Sequence, residues 1–439
     1  MKTAFSYNWT LEARSEKREA RQGKFMYQNT TLAIKKDKTQ CFNKRLPHFF
    51  HSASCILTIL ITAMAFFATN TAMAADQQWT NRSKTIEETV AISSTATVEI
   101  ANKYGRIEID TWNKDSLYIE VSISAQAKNF DKVERIMDRI NIDMNTESED
   151  FMIFRTEIGS GKGSSGILGF FQDLWDSTSD LTNSLLNTQN VTVDYKVFLP
   201  ESVKLTIENR FGDVLLPTVK GALRTDIEHG DLHAKDIWNA RNISAKYGKL
   251  DIENIRQGNL NLSFVDAVIE SAGSLQVESR SSNINLEEVE HLEVDANYDE
   301  WYIGSAESVN GSQVSTDLRV RNLSKSIDIT SKYGSVDVSR IEPQVKSVNL
   351  FGNYTDYSLG FNPSVSYDFN VSLKEGDNFY FPEKNAKIQA DSVSEEGMRH
   401  IDGKVTSSKE SYSTSKGDTK GTEVRIKTRN GSVHLGYNK

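Results

Sequence analysis

Cysteine and proline are scarce in this sequence, and long apolar runs are almost absent. Only 2 of the 439 residues are cysteines, Cys41 and Cys55. Both precede residue 75, so the chain beyond that point has no disulfide and no thiolate metal site. With 6 prolines and a hydrophobic content of 38%, the composition is typical of a folded, strand-rich protein, which argues against a disordered chain or a bundle of membrane helices.

The one long apolar run is Ala53–Ala68. A Lys-Arg pair precedes it, and Ala72–Ala74, with small residues at its first and third positions, follows it. This is the pattern of a secretory signal peptide, and the run is short for a transmembrane helix, which needs about 20 apolar residues. We therefore expect an exported protein, either periplasmic or at the cell surface or extracellular, cleaved before Ala75 and with no stable membrane span after cleavage. Because Cys55 lies inside the run and not at the cleavage point, no lipid anchor is expected there.

Basic residues are concentrated in the part that cleavage would remove. Residues 1–74 contain 11 Lys and Arg against 4 Asp and Glu, and the remainder contains 40 against 56, a net charge of −16. Since an acidic chain repels phosphate backbones, no nucleic-acid partner is expected. The expected partner is an envelope protein or a glycan, and its identity stays open.

A motif of a basic residue, an aromatic residue and a glycine recurs along the chain at a nearly constant step, or at twice that step. Its copy at Lys246–Lys249 is followed by Leu250, Asp251 and Ile252. Successive side chains of a strand point to opposite sides, so Leu250 and Ile252 should share one side and Asp251 the other. The positions equivalent to Leu250 and Ile252 are all apolar: Val214 and Leu216, Leu232 and Ala234, Ala267 and Ile269, Ile284 and Leu286, Trp301 and Ile303, Val336 and Val338.

The column that contains Asp251 is chemically mixed. Its other members are Leu215, His233, Val268, Asn285, Tyr302 and Asp337. If each copy of the motif forms one turn, or rung, of a stack around a single core, the column that faces the core must be apolar in every rung. The column that faces solvent can then vary in chemistry. We therefore predict a mainly β protein, a parallel β-solenoid (β-helix-like) with 17–18-residue rungs and a small α+β N-terminal cap containing one amphipathic helix. At each bend, as at Tyr247-Gly248, glycine is expected to provide a positive φ or a close-packed turn, and the ring to stack on the next rung.

The cap helix is predicted within "NFDKVERIMDRI", residues 129–140, where Phe130, Val133 and Ile136 fall at helical spacing. A Gly/Ser-rich stretch and an apolar stripe at helical spacing follow at 159–190, without the glycine and hydroxyl positions of a phosphate-binding loop. The predicted domains are 1–74, a basic leader plus signal peptide; 75–158, the N-terminal α+β cap; 159–190, the linker and amphipathic helical insertion; 191–382, the β-solenoid repeats; and 383–439, a polar loop and C-terminal closing strands.

Few residues are candidates for chemistry. His229 and His233 are four apart, a spacing that converges on a metal in a helix and not in a strand, so no metal and no cofactor are predicted. Carboxylates are abundant but have no orienting group or nucleophile motif beside them, so no catalytic residue is predicted either. The outward column leaves a possible ligand surface at His233, Asp251 and Tyr302, where Tyr302 could stack on a sugar or peptide.

Four stretches together resemble the putative-adhesin, β-strand-repeat domains of unknown function that occur in bacterial cell-envelope proteins. They are "NKYGRIEIDTW" at Asn102–Trp112, "VERIMDRINIDM" at Val133–Met144, "VTVDYKVFLP" at Val191–Pro200, and the repeated basic-aromatic-Gly motifs. The resemblance covers nearly all of residues 80–439. It implies an exported, non-catalytic β-solenoid, and it carries no defined functional residues over to this chain.

The function predicted from these features is an adhesion, interaction or structural module of the bacterial cell envelope, and not an enzyme. Two alternatives stay open: a carbohydrate-active, polysaccharide lyase-like enzyme built on a β-helix, and an accessory protein in envelope stress signalling. A lyase should show a groove with a basic residue and clustered carboxylates across neighbouring rungs, whereas a scaffold should show scattered charge.

Overall fold

The computed structural model describes residues 79–159, 191–407 and 421–438. All of them belong to one compact unit, Ala75–Lys439. The predicted leader and signal peptide, and the predicted insertion beyond residue 159, lie outside the described residues. In the part that is described, no helix is long and apolar enough to cross a membrane.

Strands account for 76% of the described residues and helix for 3%, which confirms the mainly β class. The strands, numbered β1 to β20 in chain order, are Thr80–Ala91, Thr97–Lys103, Ile107–Thr111, Ser116–Ala127, Ile140–Ser148, Phe151–Ile158, Val191–Leu199, Lys204–Arg210, Val214–Leu216, Val219–Glu228, Leu232–Arg280, Asn283–Asn297, Glu300–Ile341, Ser347–Phe361, Tyr367–Lys374, Phe379–Tyr380, Ala386–Val393, Met398–Val405, Thr422–Lys427 and Val433–Tyr437.

One α-helix, α1, spans Phe130–Met137 within the described ranges, as predicted. The side chain of Asn129 caps it by accepting a hydrogen bond from the backbone N–H of Lys132. Val133 and Ile136 are buried. Phe130 belongs to the predicted apolar face but lies at the first residue of the helix and is 56% exposed.

The strands form one large, mostly parallel sheet that does not close on itself. Antiparallel pairs occur where β4 meets β1 and β7, where β5 meets β6, and where β18 meets β15 and β17. Parallel pairing joins β2 to both β6 and β8, and β3 to both β7 and β9. The strands of the predicted cap are therefore in the same sheet as the repeats.

Residues that pair across the repeats are separated by a short, nearly constant step. Asp226 and Ser244 pair at a sequence separation of 18, and His291 and Ser308 pair at a separation of 17. The separation widens to 21 where β13 pairs with β14, so the spacing is not uniform along the whole array. All fourteen positions of the two apolar columns are buried, as the alternation predicts.

Strand β11 is not straight, although it contains 49 residues without interruption. An extended strand of that length would reach about 160 Å. Instead, distant parts of it touch. The side-chain amide of Asn254 donates to Asp236 at 2.9 Å across a sequence separation of 18, and His233 Nδ1 lies 3.6 Å from Asp251 Oδ2. Successive parts of β11 therefore lie side by side.

The bends differ from the prediction in which residue takes the unusual backbone conformation. At Tyr247-Gly248 the positive φ, 57°, belongs to the aromatic residue and not to the glycine after it. Gly248 has the other expected role, because a Cβ there would overlap the carbonyl oxygen of Gly230 on the preceding rung. Equivalent positive φ values, from 51° to 65°, occur at Tyr104, Phe211, His229, Phe264, Ser281, Tyr298, Ser315, Tyr333, Tyr354 and Asn430.

Rings at consecutive bends stack on one another, as predicted, and we call this column the aromatic ladder. Centroid distances are 5.3 Å for Tyr104–Phe211, 5.0 Å for Phe211–His229, 4.9 Å for His229–Tyr247, 5.1 Å for Tyr247–Phe264 and 5.2 Å for Tyr333–Tyr354. The ladder lies on the surface, with Tyr247 49% exposed. Its rings therefore tie one bend to the next without entering the core.

Substitutions at Tyr247 separate the contribution of backbone strain to stability from the contribution of ring stacking. Both Tyr247→Ala and Tyr247→Gly lose the contacts with His229 and Phe264, but only glycine relieves the left-handed strain. We expect the Gly variant to be more stable than the Ala variant by about 1 kcal/mol in urea unfolding. Tyr302, on an ordinary strand, is the control: there Ala should be more stable than Gly. An Ala variant at Tyr247 as stable as the Gly variant would contradict this account.

Candidate functional site

The structure brings together two of the three residues of the predicted ligand surface. His233 and Asp251 lie on adjacent segments of β11, with Nδ1 and Oδ2 3.6 Å apart and both side chains at least half exposed. A polar contact so exposed contributes little to stability. The two residues line a small depression of about 300 Å³ together with Glu108 and Leu215.

Tyr302 lies elsewhere in the same outward column. It pairs with Asn285, which pairs with Val268, so it is about 10 Å from Val268 along the sheet. The guanidinium of Arg321 lies 5.6 Å from the centre of the Tyr302 ring and also pairs with Glu287 at 3.0 Å. One face of this ring is therefore already used within the chain, and the predicted three-residue surface is two separate patches.

His229 is a member of the aromatic ladder. Its ring lies between those of Phe211 and Tyr247, with interplanar angles of 2° and 8°. Among the described residues, no group of three or more His, Cys, Asp or Glu side chains is placed to hold a metal ion.

A larger groove lies on the outward face of β2, β6, β8, β10 and the first part of β11. Its volume is about 1100 Å³, and we call it the charged groove. Its charged lining residues are Arg155, Lys204, Arg224 and Arg241 with Glu99, Glu208 and Asp226. Four cations on the surface of an acidic chain form a local excess of positive charge.

Strand register places these side chains side by side. Glu208 pairs with Asp226 on one side and with Ala101 on the other, and Ala101 pairs with Arg155. In the next row, Thr206 pairs with both Glu99 and Arg224. Charged side chains of neighbouring strands therefore lie in two parallel rows within the groove.

Glu208 is the most perturbed carboxyl group of the groove. Burial raises its pKa from 4.5 to about 7, the carboxylate of Asp226 acts in the same direction, and Arg210 opposes the shift. Burial also raises the pKa of Glu99, against the influence of Arg155. Near neutral pH, Glu208 therefore exists in both protonation states and can donate or accept a hydrogen bond.

The charged groove contains a basic residue and clustered carboxylates, the features that the enzyme hypothesis requires. A catalytic acid or base must also be held in position by a partner. In the described ranges no side chain holds the Glu208 carboxyl in a hydrogen bond.

The sequence contains a signal for part of this groove, because Glu208 and Asp226 are 18 residues apart, the same spacing as the recurring motif. It contains no such signal for the contribution of β2 and β6, since Ala101 and Glu208 pair in the sheet but lie far apart in the sequence. No periodic pattern in the sequence predicts that pairing.

No family model matches this chain, and no curated protein matches it. Among solved structures, it is similar to a putative cell adhesion protein from Clostridium sporogenes, with 9% identity, 81% of this chain and 100% of that one covered, and a TM-score of 0.17. It is similar also to a putative adhesin from Parabacteroides merdae, with 11% identity, coverages of 63% and 95%, and a TM-score of 0.28. A third is a putative lipid binding protein from Parabacteroides distasonis, with 11% identity, coverages of 63% and 96%, and a TM-score of 0.29.

The first two names belong to the putative-adhesin family that the sequence motifs resemble. At TM-scores of 0.17 to 0.29, the overlap in shape is too small to transfer a ligand or a mechanism to this chain.

Substituting Glu208 tests its raised pKa. Between pH 4.5 and 7 the folded chain keeps a proton that the unfolded chain releases, so Glu208 lowers stability as pH rises through this range. Glu208→Gln should match the parent at pH 4 and be more stable at pH 8, by on the order of 1 kcal/mol because the groove is open to solvent. Urea unfolding at both pH values measures this, with the exposed Glu270→Gln as control. Equal stability of parent and Glu208→Gln at pH 8 would show that the carboxyl is not perturbed.

Proposed function

We propose that this chain is an exported, non-catalytic adhesion or interaction module of the bacterial cell envelope. Its fold in this proposal is a parallel β-solenoid, mostly with 17–18-residue rungs. The side-by-side contacts between successive parts of β11 support the solenoid, and the apolar run with its flanks supports export.

The observation that carries the binding function is the charged groove. It offers about 1100 Å³ of open space, with four cations against three carboxylates, one of which is partly protonated at neutral pH. Arginine forms paired hydrogen bonds to carboxylate and phosphate oxygens. The groove therefore suits an anionic glycan segment, whose hydroxyl groups the remaining polar side chains can also bind.

Glycan binding tests this function. The purified protein should bind uronic acid-containing glycans on an array, and Arg155→Ala and Arg224→Ala should each weaken binding by on the order of 10-fold, because each removes a charge-assisted hydrogen bond. Lys387→Ala, an exposed cation on β17, is the matched control and should bind as the parent does. Binding should also strengthen from pH 8 to pH 6 as Glu208 gains its proton, and Glu208→Gln should abolish this pH dependence.

Two results would contradict the proposal. Conversion of a bound glycan to shorter or unsaturated products would favour the lyase-like enzyme. Binding that is unaffected by both arginine substitutions would place the ligand outside the groove.

Export has its own test. The apolar run and the Ala72–Ala74 site predict that the mature chain begins at Ala75. Mass spectrometry of the N-terminal peptide from the periplasmic and surface fractions should find this terminus. An intact N-terminus in the cytoplasmic fraction alone would contradict export.

A further inference from the structure

Three of the bends carry no ring, and two of these, at Ser281 and Ser315, lie between bends that do. Ser281 and Ser315 have the same left-handed backbone as their neighbours, with φ of 51° and 53°. Between them lies Tyr298, and beyond them lie Phe264 on one side and Tyr333 on the other. From Phe264 to Tyr333, bends with a ring therefore alternate with bends without one, while the left-handed backbone conformation is the same at all five.

Each empty bend leaves a space one ring thick. Adjacent bends are about 4.8 Å apart, so the rings on either side of Ser281 are separated by about 10 Å, and the same holds at Ser315. The ladder itself shows what fits such a space. His229 lies 5.0 Å from Phe211 and 4.9 Å from Tyr247, nearly parallel to both.

Tyr298, which has an empty bend on both sides, is the most exposed ring of the ladder at 62%. Phe264 and Tyr333, which have one empty bend each, are 49% and 44% exposed, and Tyr247, which has a ring on both sides, is 49% exposed. A face of an aromatic ring left to water is available for stacking.

Hydrogen bonds fix the backbone beneath these spaces. The buried carboxylate of Asp299 accepts from Ser279 Oγ at 2.7 Å, from the backbone N–H of Ser282 at 2.7 Å and from that of Asn297 at 2.8 Å. The walls are therefore held at a set separation before any ligand enters, which lowers the entropy cost of binding.

The geometry points to two binding slots, at Ser281 and Ser315, each of which takes one planar aromatic or heteroaromatic ring of a small molecule between two ladder rings. The ladder is filled again beyond each slot, with Tyr247 next to Phe264 and Tyr354 next to Tyr333. A second ladder from another copy would meet these rings edge against edge, so the occupant is a compact ligand with one or two rings. This inference is independent of the charged groove.

The probes are indole and a pair of indoles joined by a flexible linker, with cyclohexanol as the non-planar control. The linker spans about 10 Å, because the two slots are two strand spacings apart. Ligand-observed NMR on the full protein measures binding. Indole should bind and cyclohexanol should not, because only a planar ring fits between parallel walls. The linked probe should bind on the order of 100-fold tighter than indole, because its second ring binds intramolecularly.

Variants that place a ring at each empty bend test whether the probes bind in the slots or elsewhere on the surface. Ser281→Tyr and Ser315→Tyr should each lower the affinity for the linked probe to that for indole. The double variant should bind neither indole nor the linked probe. Added rings extend the stack, so the variants should unfold at no lower urea concentration than the parent, which separates filling from misfolding. Ser274→Tyr, at an exposed strand position outside the ladder, is the matched control and should bind as the parent does.

Indole binding that survives in the double variant would overturn the proposal, as would equal affinity for cyclohexanol. If filling the slots converted a dimer to a monomer without changing indole binding, the occupant would be a second copy and the small-molecule assignment would be wrong. Arg155→Ala changes the charged groove and leaves the slots intact, so this variant should bind indole as the parent does. Failure of glycan binding would therefore not affect the outcome of the indole experiment.

Discussion

A left-handed backbone conformation at a residue with a side chain is the constraint on which this fold depends. Each bend places one residue at φ between 51° and 65°, and all but three of these eleven residues are aromatic or histidine. Such a conformation costs about 1–2 kcal/mol when a Cβ is present. A stacked aromatic pair contributes about 0.5–1.5 kcal/mol beyond its buried area, and a ring inside the ladder belongs to two pairs. Stacking therefore offsets the strain and at the same time holds neighbouring bends in register.

Register then determines which positions are free to vary. Once the bends are aligned, equivalent residues of paired segments lie beside each other, and the two inward columns that contain Leu250 and Ile252 are apolar throughout. The outward positions have no such requirement. Glu208 beside Asp226 shows how far this freedom extends: burial raises the pKa of Glu208, and the neighbouring carboxylate of Asp226 adds to the shift. Binding surfaces can thus change in an array of this kind without any change in its core.

The inward columns were predictable from the sequence because strand alternation is a local property. Leu250 and Ile252 are buried as the period of two requires, and α1 lies where the helical spacing places it. The bend was only partly predictable. Glycine is the usual residue at positive φ, and nothing in the local sequence indicates that Tyr247 takes that conformation while Gly248 serves close packing. The charged groove was the least predictable feature, because half of it depends on pairs between strands that are distant in the sequence.

The segment around the two empty bends is exceptional in a second way. Among the stacked rings, most are followed by glycine, and Phe264 and Tyr354 are not, whereas Ser281, Tyr298 and Ser315 are followed by Ser282, Asp299 and Thr316. There, the buried carboxyl group of Asp299 accepts hydrogen bonds from Ser279, Ser282 and Asn297. Burial raises the pKa of Asp299, and the hydrogen bonds it accepts oppose that shift, so this arrangement has an electrostatic cost. Rings and glycines would hold the bend without a buried carboxyl group. This segment keeps the same backbone, but it lacks two stacked rings and buries a carboxyl group. Both differences lower its stability, so we explain them by a requirement for open space beside Tyr298.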